Sequence, residues 1–83
     1  MVLDPNDKAI AETYNSIAMA FDVQNKFKNA LYHFNEALRI YKMSGPSSIP
    51  YVAGTINNIG GVYDKVTRLI YLIIKNIKIF LEN

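Results

Sequence analysis

The sequence predicts an all-α fold made of two antiparallel helix-turn-helix hairpins. Apolar residues recur three and four positions apart along both halves of the 83-residue chain, which is the spacing of one helix face. A pattern in the first half returns 42 positions later, so that Tyr14 corresponds to Ile56. Between the halves, residues 44–50 are rich in serine, proline and glycine, where a helix is expected to stop.

The first hairpin is predicted from two helices, at about residues 5–23 and 26–43. Asp4 suits an N-cap, and Pro5 suits the first helical position. Asn25 lies between the helices and tolerates the left-handed backbone of a tight turn. The apolar stripes consist of Tyr14, Ile17 and Phe21 in the first helix, and of Phe27, Ala30, Leu31, Phe34, Ala37 and Leu38 in the second. Ala18, Ala30 and Ala37 are small, which lets the two helix axes approach closely.

The second hairpin is predicted from the repeat. The third helix, about residues 50–65, places Ile56, Ile59, Gly60 and Tyr63 where the first helix has Tyr14, Ile17, Ala18 and Phe21. The fourth helix is expected to follow and to end near residue 81. Its packing is degenerate, because large residues such as Leu72 and Ile79 replace Ala30 and Ala37 and would force the helices apart. An offset of 43 buries a different stripe, and the register stays open. The chain is thus one domain, residues 1–83, with repeats at about 5–43 and 47–81.

Three segments carry a family resemblance: ETYNSIAMAF, NKFKNALYHFNEALRIYK and AGTINNIGGVY. Their order of large, small and aromatic residues resembles the tetratricopeptide repeat family. The 42-residue period, with its Ser/Pro loop, resembles the long variant found in kinesin light chains. The resemblance implies a right-handed α-solenoid fragment whose first helices line a concave groove for a peptide or a partner protein.

Asparagines recur on the face that the resemblance makes concave. Asn15 and Asn57 occupy equivalent places in the two repeats, and in the family such asparagines bind the backbone of an extended peptide. An amide suits this role because it both donates and accepts hydrogen bonds. The alternative is that these are ordinary solvated side chains. The predicted partner-binding groove consists of Glu12, Asn15, Ser16, Met19, Asp22, Asn57 and Asn58.

The fourth helix suggests a second, alternative function. The positions that hold Lys28, Tyr32, Asn35 and Arg39 in repeat one hold Ile70, Ile74, Ile77 and Leu81 in repeat two. The end of a repeat array normally presents a polar cap instead. The sequence therefore predicts a structural self-assembly element that forms a homo-oligomer, or docks onto further repeats, through these four residues.

Composition excludes several other classes. A net charge of +2 from nine basic and seven acidic residues is too small and too scattered for a nucleic-acid surface. The chain has no cysteine, so disulfides and thiolate metal sites are excluded. This suits a reducing compartment, and a cytoplasmic location is expected. The N-terminus shows no basic stretch followed by an apolar run, so no secretory signal is expected.

Neither catalysis nor a membrane span is expected. The only histidine, His33, lies three positions before Glu36, and both are predicted on the polar side of the second helix without a third metal ligand. No nucleophile motif or phosphate loop is present, so the chain is predicted to be a non-enzyme without cofactors. The apolar segment 66–81 contains Arg68, Lys75 and Lys78 and is shorter than the roughly 20 residues that a spanning helix needs.

Overall fold

The computed structural model describes residues 7–83, which form three α-helices and one short 3-10 helix. The helices are α1 (Lys8–Val23), α2 (Phe27–Met43) and α3 (Ile49–Glu82), and the 3-10 helix spans Pro46–Ser48. The prediction of an all-α fold is confirmed. The predicted cap of Asp4 and Pro5 lies outside the described residues; α1 is capped by Asp7, whose Oδ1 accepts a hydrogen bond of 2.8 Å from the Ala9 backbone N–H.

The first hairpin forms as predicted. Asn25 takes a left-handed backbone with φ of 60° between α1 and α2, and the Lys26 N–H donates to the Phe21 carbonyl at 2.9 Å. The three alanines expected at the crossing, Ala18, Ala30 and Ala37, are fully buried. Small residues therefore set the close spacing of α1 and α2.

The core consists of two apolar clusters that run along α2. One contains Ala11, Ala37, Ile40 and Tyr41, and the other contains Ala18, Ala30, Phe34 and Val62. Val62 is the buried contribution of α3, and the half-buried Val52 and Ile59 of α3 also pack on these clusters. Beyond residue 66 every side chain is exposed, so the hairpin covers only the N-terminal half of α3.

The predicted second hairpin is not formed, because α3 continues without a break for 34 residues. At the offset of 42, Val66, Thr67 and Arg68 stand where repeat one has its turn, Gln24 to Lys26. Thr67 is β-branched and resists the left-handed conformation that Asn25 adopts. No glycine or proline follows Gly61, so each added residue extends the helix by one further hydrogen bond.

The continuous α3 leaves part of the predicted core in solvent. Ile56, Gly60 and Tyr63, which were expected to pack on a fourth helix, are exposed. Ile59 is half-buried and packs on the cluster of α2 instead. The molecule is elongated, with principal extents of 64 × 23 × 14 Å. Within residues 7–83, no helix carries a stretch long and apolar enough to cross a membrane.

Candidate functional site

The predicted groove residues lie where α1 passes beside the N-terminal half of α3, and this surface is termed the α1–α3 groove. Two polar contacts bridge it. The Asn58 Nδ2 donates to the Asn15 Oδ1 at 3.5 Å, and the Lys65 Nζ donates to the Asp22 Oδ2 at 2.8 Å. Both contacts join residues 43 positions apart, so the structure pairs Asn15 with Asn58 rather than with its repeat equivalent Asn57.

Two small pockets open along this groove. The first has a volume of about 240 Å³ and is lined by Met19, Asp22, Val23, Phe34, Asn57, Asn58 and Gly61. The second has a volume of about 150 Å³ and is lined by Asn15, Tyr41, Pro50, Tyr51, Gly54, Thr55 and Asn58. Asn58 lines both pockets, so its amide is shared between them.

Five of the seven predicted groove residues line these pockets. Met19, Asp22, Asn57 and Asn58 line the first, and Asn15 and Asn58 line the second. Glu12 and Ser16 are exposed on α1 and line neither pocket. The two pockets therefore take more of their lining from α3, and less from α1, than the predicted groove did.

Hydrogen-bonding capacity remains in both pockets, through Asp22 in the first and Asn15 in the second. The Asp22 Oδ1 is buried and has no donor among the described residues, whereas its Oδ2 binds Lys65. A buried acceptor without a partner costs about 1–3 kcal/mol. Among the described residues, the only acceptor of the Asn15 Nδ2 is the Met19 sulfur at 3.7 Å, and sulfur accepts weakly. The groove can therefore satisfy both donors and acceptors of a bound molecule.

No protein-family model matches the chain, and neither does any curated protein or solved structure. The chemistry of its own surfaces is thus the basis for assigning a function.

Tyr41 forms the floor of the second pocket and was not predicted as a site residue. Its ring stacks on Tyr51 at a centroid distance of 5.2 Å and an interplanar angle of 14°. Burial raises the pKa of the Tyr41 hydroxyl, and the neighbouring Glu12 and Tyr51 raise it further. Both effects disfavour a charged phenolate, so Tyr41 contributes a neutral aromatic side chain to this end of the groove.

The prediction that His33 lies on the polar side of α2 is wrong. The ring is half-buried and lies 5.2 Å from Phe21 and 6.0 Å from Tyr14 of α1. Its Nδ1 is 2.8 Å from the Asn29 carbonyl oxygen, which requires the hydrogen on Nδ1. His33 therefore belongs to the aromatic contact between α1 and α2.

A second candidate surface is the C-terminal half of α3. The predicted interface residues Ile70, Ile74, Ile77 and Leu81 are all exposed. Six further large apolar or aromatic side chains are exposed beside them: Leu69, Tyr71, Leu72, Ile73, Ile79 and Phe80. An apolar surface of this extent is uncommon on a monomer and usually marks an interface.

Proposed function

We propose that this chain is a protein-interaction module that binds an extended segment of a partner protein in the α1–α3 groove. The observation that carries the proposal is the first pocket, where Asp22 and Asn58 meet an apolar floor formed by Phe34. An extended segment presents backbone donors and acceptors. The free Asp22 Oδ1 would accept from a backbone N–H, and the asparagine amides would bind both kinds of group.

The apolar part of the pocket supports a side-chain preference. Met19 is flexible and polarisable, so it can adapt to different apolar side chains. Phe34 and Val23 offer further apolar contact in the same pocket. The resemblance to tetratricopeptide repeats points to the same face. A cysteine-free chain suits a reducing compartment, and the proposal includes a cytoplasmic location.

The test is selection from a random peptide library on the purified chain, followed by affinity measurement on an enriched peptide. We expect the double variant Asn15→Ala and Asn58→Ala to bind at least 10-fold more weakly, because each lost amide leaves peptide groups unpaired at about 1–3 kcal/mol. Asn35→Ala is the matched control, since Asn35 is an exposed asparagine on α2 and should leave the affinity unchanged.

Two results would contradict the groove as a binding site. One is a library that yields no enriched peptide. The other is equal affinity of the double variant and the parent, with helicity by circular dichroism the same in both.

Structural self-assembly is the second candidate function. The exposed apolar residues of α3 between 69 and 81 favour it, because their burial between chains would remove them from water.

A further inference from the structure

An uncharged stripe runs along the whole of α3 on a face that α2 does not cover. Its ten members alternate in steps of four and three residues, which is the spacing of a coiled-coil seam. They are Ile49, Ala53, Ile56, Gly60, Tyr63, Thr67, Ile70, Ile74, Ile77 and Leu81. All ten are exposed. This set, termed the free seam, includes the four predicted interface residues and extends them by more than four helical turns toward the N-terminus.

The internal repeat shows what covers such a face elsewhere in the molecule. The free-seam residues Ala53 and Gly60 correspond at the offset of 42 to Ala11 and Ala18 of α1. Ala11 and Ala18 are fully buried against α2, which runs antiparallel to α1. In the part of the chain that the structure describes, no helix covers the same face of α3, and a Cβ built at Gly60 meets nothing within 4 Å.

We infer that the missing helix is α3 of a second copy, so that the chain forms an antiparallel homodimer through the free seam. The twofold axis lies near Lys65, at the centre of α3. The C-terminal half of each α3 then covers the N-terminal half of the other. This inference concerns a different surface from the α1–α3 groove and does not depend on it.

The sizes of the seam residues favour the antiparallel orientation. The N-terminal half supplies the small residues Ala53 and Gly60, whereas the C-terminal half supplies isoleucines and a leucine. With the axis at Lys65, all ten residues form layers with a partner residue. Each layer pairs one residue with one of the other copy: Ala53 with Ile77, Gly60 with Ile70, Tyr63 with Thr67, Ile56 with Ile74, and Ile49 with Leu81.

A parallel pair would pack less well. It would place Gly60 against Gly60 and Ala53 against Ala53 of the other copy, which leaves voids, and it would place Tyr63 against Tyr63. Proteins pack their interfaces at interior density. The antiparallel layers place a large residue opposite Ala53 and opposite Gly60, so no void is left there. They also place Tyr63 opposite Thr67 instead of a second tyrosine.

The area that the dimer would bury is at the lower limit for a specific interface. A helix of 34 residues is about 51 Å long. A contact strip about 10 Å wide, the usual distance between packed helix axes, covers on the order of 500 Å² of each chain. The total of roughly 1,000 Å² lies at the lower limit of the area expected of a specific interface.

The charged residues of α3 lie outside the free seam. Arg68 pairs with Asp64 at 3.2 Å, and Lys78 approaches Glu82 at 3.9 Å. Both pairs join residues of one chain, four positions apart. No side chain of the seam itself carries a charge that dimerisation would bury.

Molar mass in solution tests the dimer. The parent should have the mass of two chains at micromolar concentration by light scattering. Ile70→Lys with Ile77→Lys places two charges in each seam and should weaken association by at least about 100-fold. Leu72→Lys with Ile79→Lys is the matched control, because Leu72 and Ile79 are each 49% exposed, compared with 52% for Ile70 and Ile77, but lie on another face of α3.

Two outcomes of the molar-mass measurement would overturn the dimer. A monomeric parent at high micromolar concentration overturns the inference, and so does a control variant that dissociates as readily as the seam variant. Circular dichroism in dilute solution shows whether the seam variant keeps its helices. If the seam variant unfolds, the dimer is tested instead by the spin-label distances described next, which leave the seam residues unchanged.

Spin-label distances test the orientation. The chain has no cysteine, so a single label can be placed at Lys75→Cys or Glu82→Cys, both off the seam. In the antiparallel dimer the two labels should lie about 30 Å apart along the axis for Lys75 and about 51 Å for Glu82. Short distances at both positions, on the order of the 8–10 Å between helix axes plus the label arms, would show a parallel pair and refute the proposal.

Discussion

Tyr41 links the α1–α3 groove to the core of the first hairpin. The side chain is only 3% exposed, and its ring belongs to the cluster of Ala11, Ala37 and Ile40. Because the hydroxyl is removed from water, burial raises the pKa of Tyr41, and Glu12 and Tyr51 act in the same direction. The protonated hydroxyl is therefore part of the folded state.

This raised pKa predicts a loss of stability at alkaline pH. An unfolded tyrosine loses its proton near pH 10, whereas the folded Tyr41 keeps its proton to higher pH. Above about pH 10 the unfolded chain thus binds fewer protons than the folded chain, and the free energy of unfolding falls as pH rises toward the folded pKa. Below about pH 10 the contribution of the protonated Tyr41 to the free energy of unfolding is fully present. Urea unfolding measured at pH values above about 10 should show that the free energy of unfolding of the parent falls as pH rises. The variant Tyr41→Phe should show a smaller fall. An equal fall in both proteins would contradict this role of Tyr41.

The contrast between Asn25 and Thr67 decides the architecture at the scale of helices. In the first hairpin every local signal agrees: an apolar stripe on each helix, alanines at the crossing and an asparagine in the turn. Such agreement between local and global preferences is what specifies a structure. At the offset of 42, a second turn would fall at residues 66–68, but those residues favour continued helix. Sequence similarity between the halves was a weaker guide than the turn residues themselves.

The glycines of α3 show how the continuous helix changes the expected packing. Gly60 was predicted to fit a crossing with a fourth helix, yet both Gly60 and Gly61 have open space around the Cβ position. Gly61 lines the first pocket of the groove. Both lie within a helix, where glycine costs about 1 kcal/mol relative to alanine.

Replacement of Gly61 by alanine should therefore stabilise the chain. We expect Gly61→Ala to raise the free energy of unfolding by about 0.5–1 kcal/mol, because the new methyl group meets no neighbour and the unfolded chain loses conformational freedom. Urea titration in dilute solution measures the change. Gly45→Ala is the opposite control: Gly45 has φ of 91°, so alanine there should destabilise. A destabilised Gly61→Ala variant would show that α3 lies closer to α1 than described.

At the scale of the whole molecule, the sequence predicted an all-α fold, but it did not predict how α3 is placed against the first hairpin. The groove asparagines could be chosen from their recurrence, but the pairing of Asn15 with Asn58 depends on how α1 and α3 are placed. The exposed isoleucines of α3 were predicted as an interface. The N-terminal part of the free seam was not, because a repeat with a fourth helix would have buried Ile56 and Tyr63. Its four-three spacing from Ile49 to Leu81 is visible in the sequence once α3 is known to be continuous.

The folded body and the exposed half of α3 should also be separable. Among residues 7–83, all fully buried side chains lie between Ala11 and Val62, and every side chain from Thr67 onward is exposed. A chain that ends at Arg68 therefore keeps the described core, although a body of this size is only marginally stable. Urea unfolding should be measured in dilute solution, where the full chain is dissociated. The free energies of unfolding of the full chain and of the shortened chain should then differ by less than about 1 kcal/mol.

The dependence of the melting temperature on protein concentration distinguishes the full chain from the shortened chain. Association stabilises the folded state by mass action, so the melting temperature of the full chain should rise with protein concentration, whereas that of the shortened chain should stay constant. The full-length variant Leu72→Lys with Ile79→Lys keeps the free seam and should behave as the parent. A shortened chain that is unfolded at a dilution where the full chain is folded and monomeric would show that residues 69–83 stabilise the body within one molecule. The exposed half of α3 would then be part of the core rather than an interface between copies.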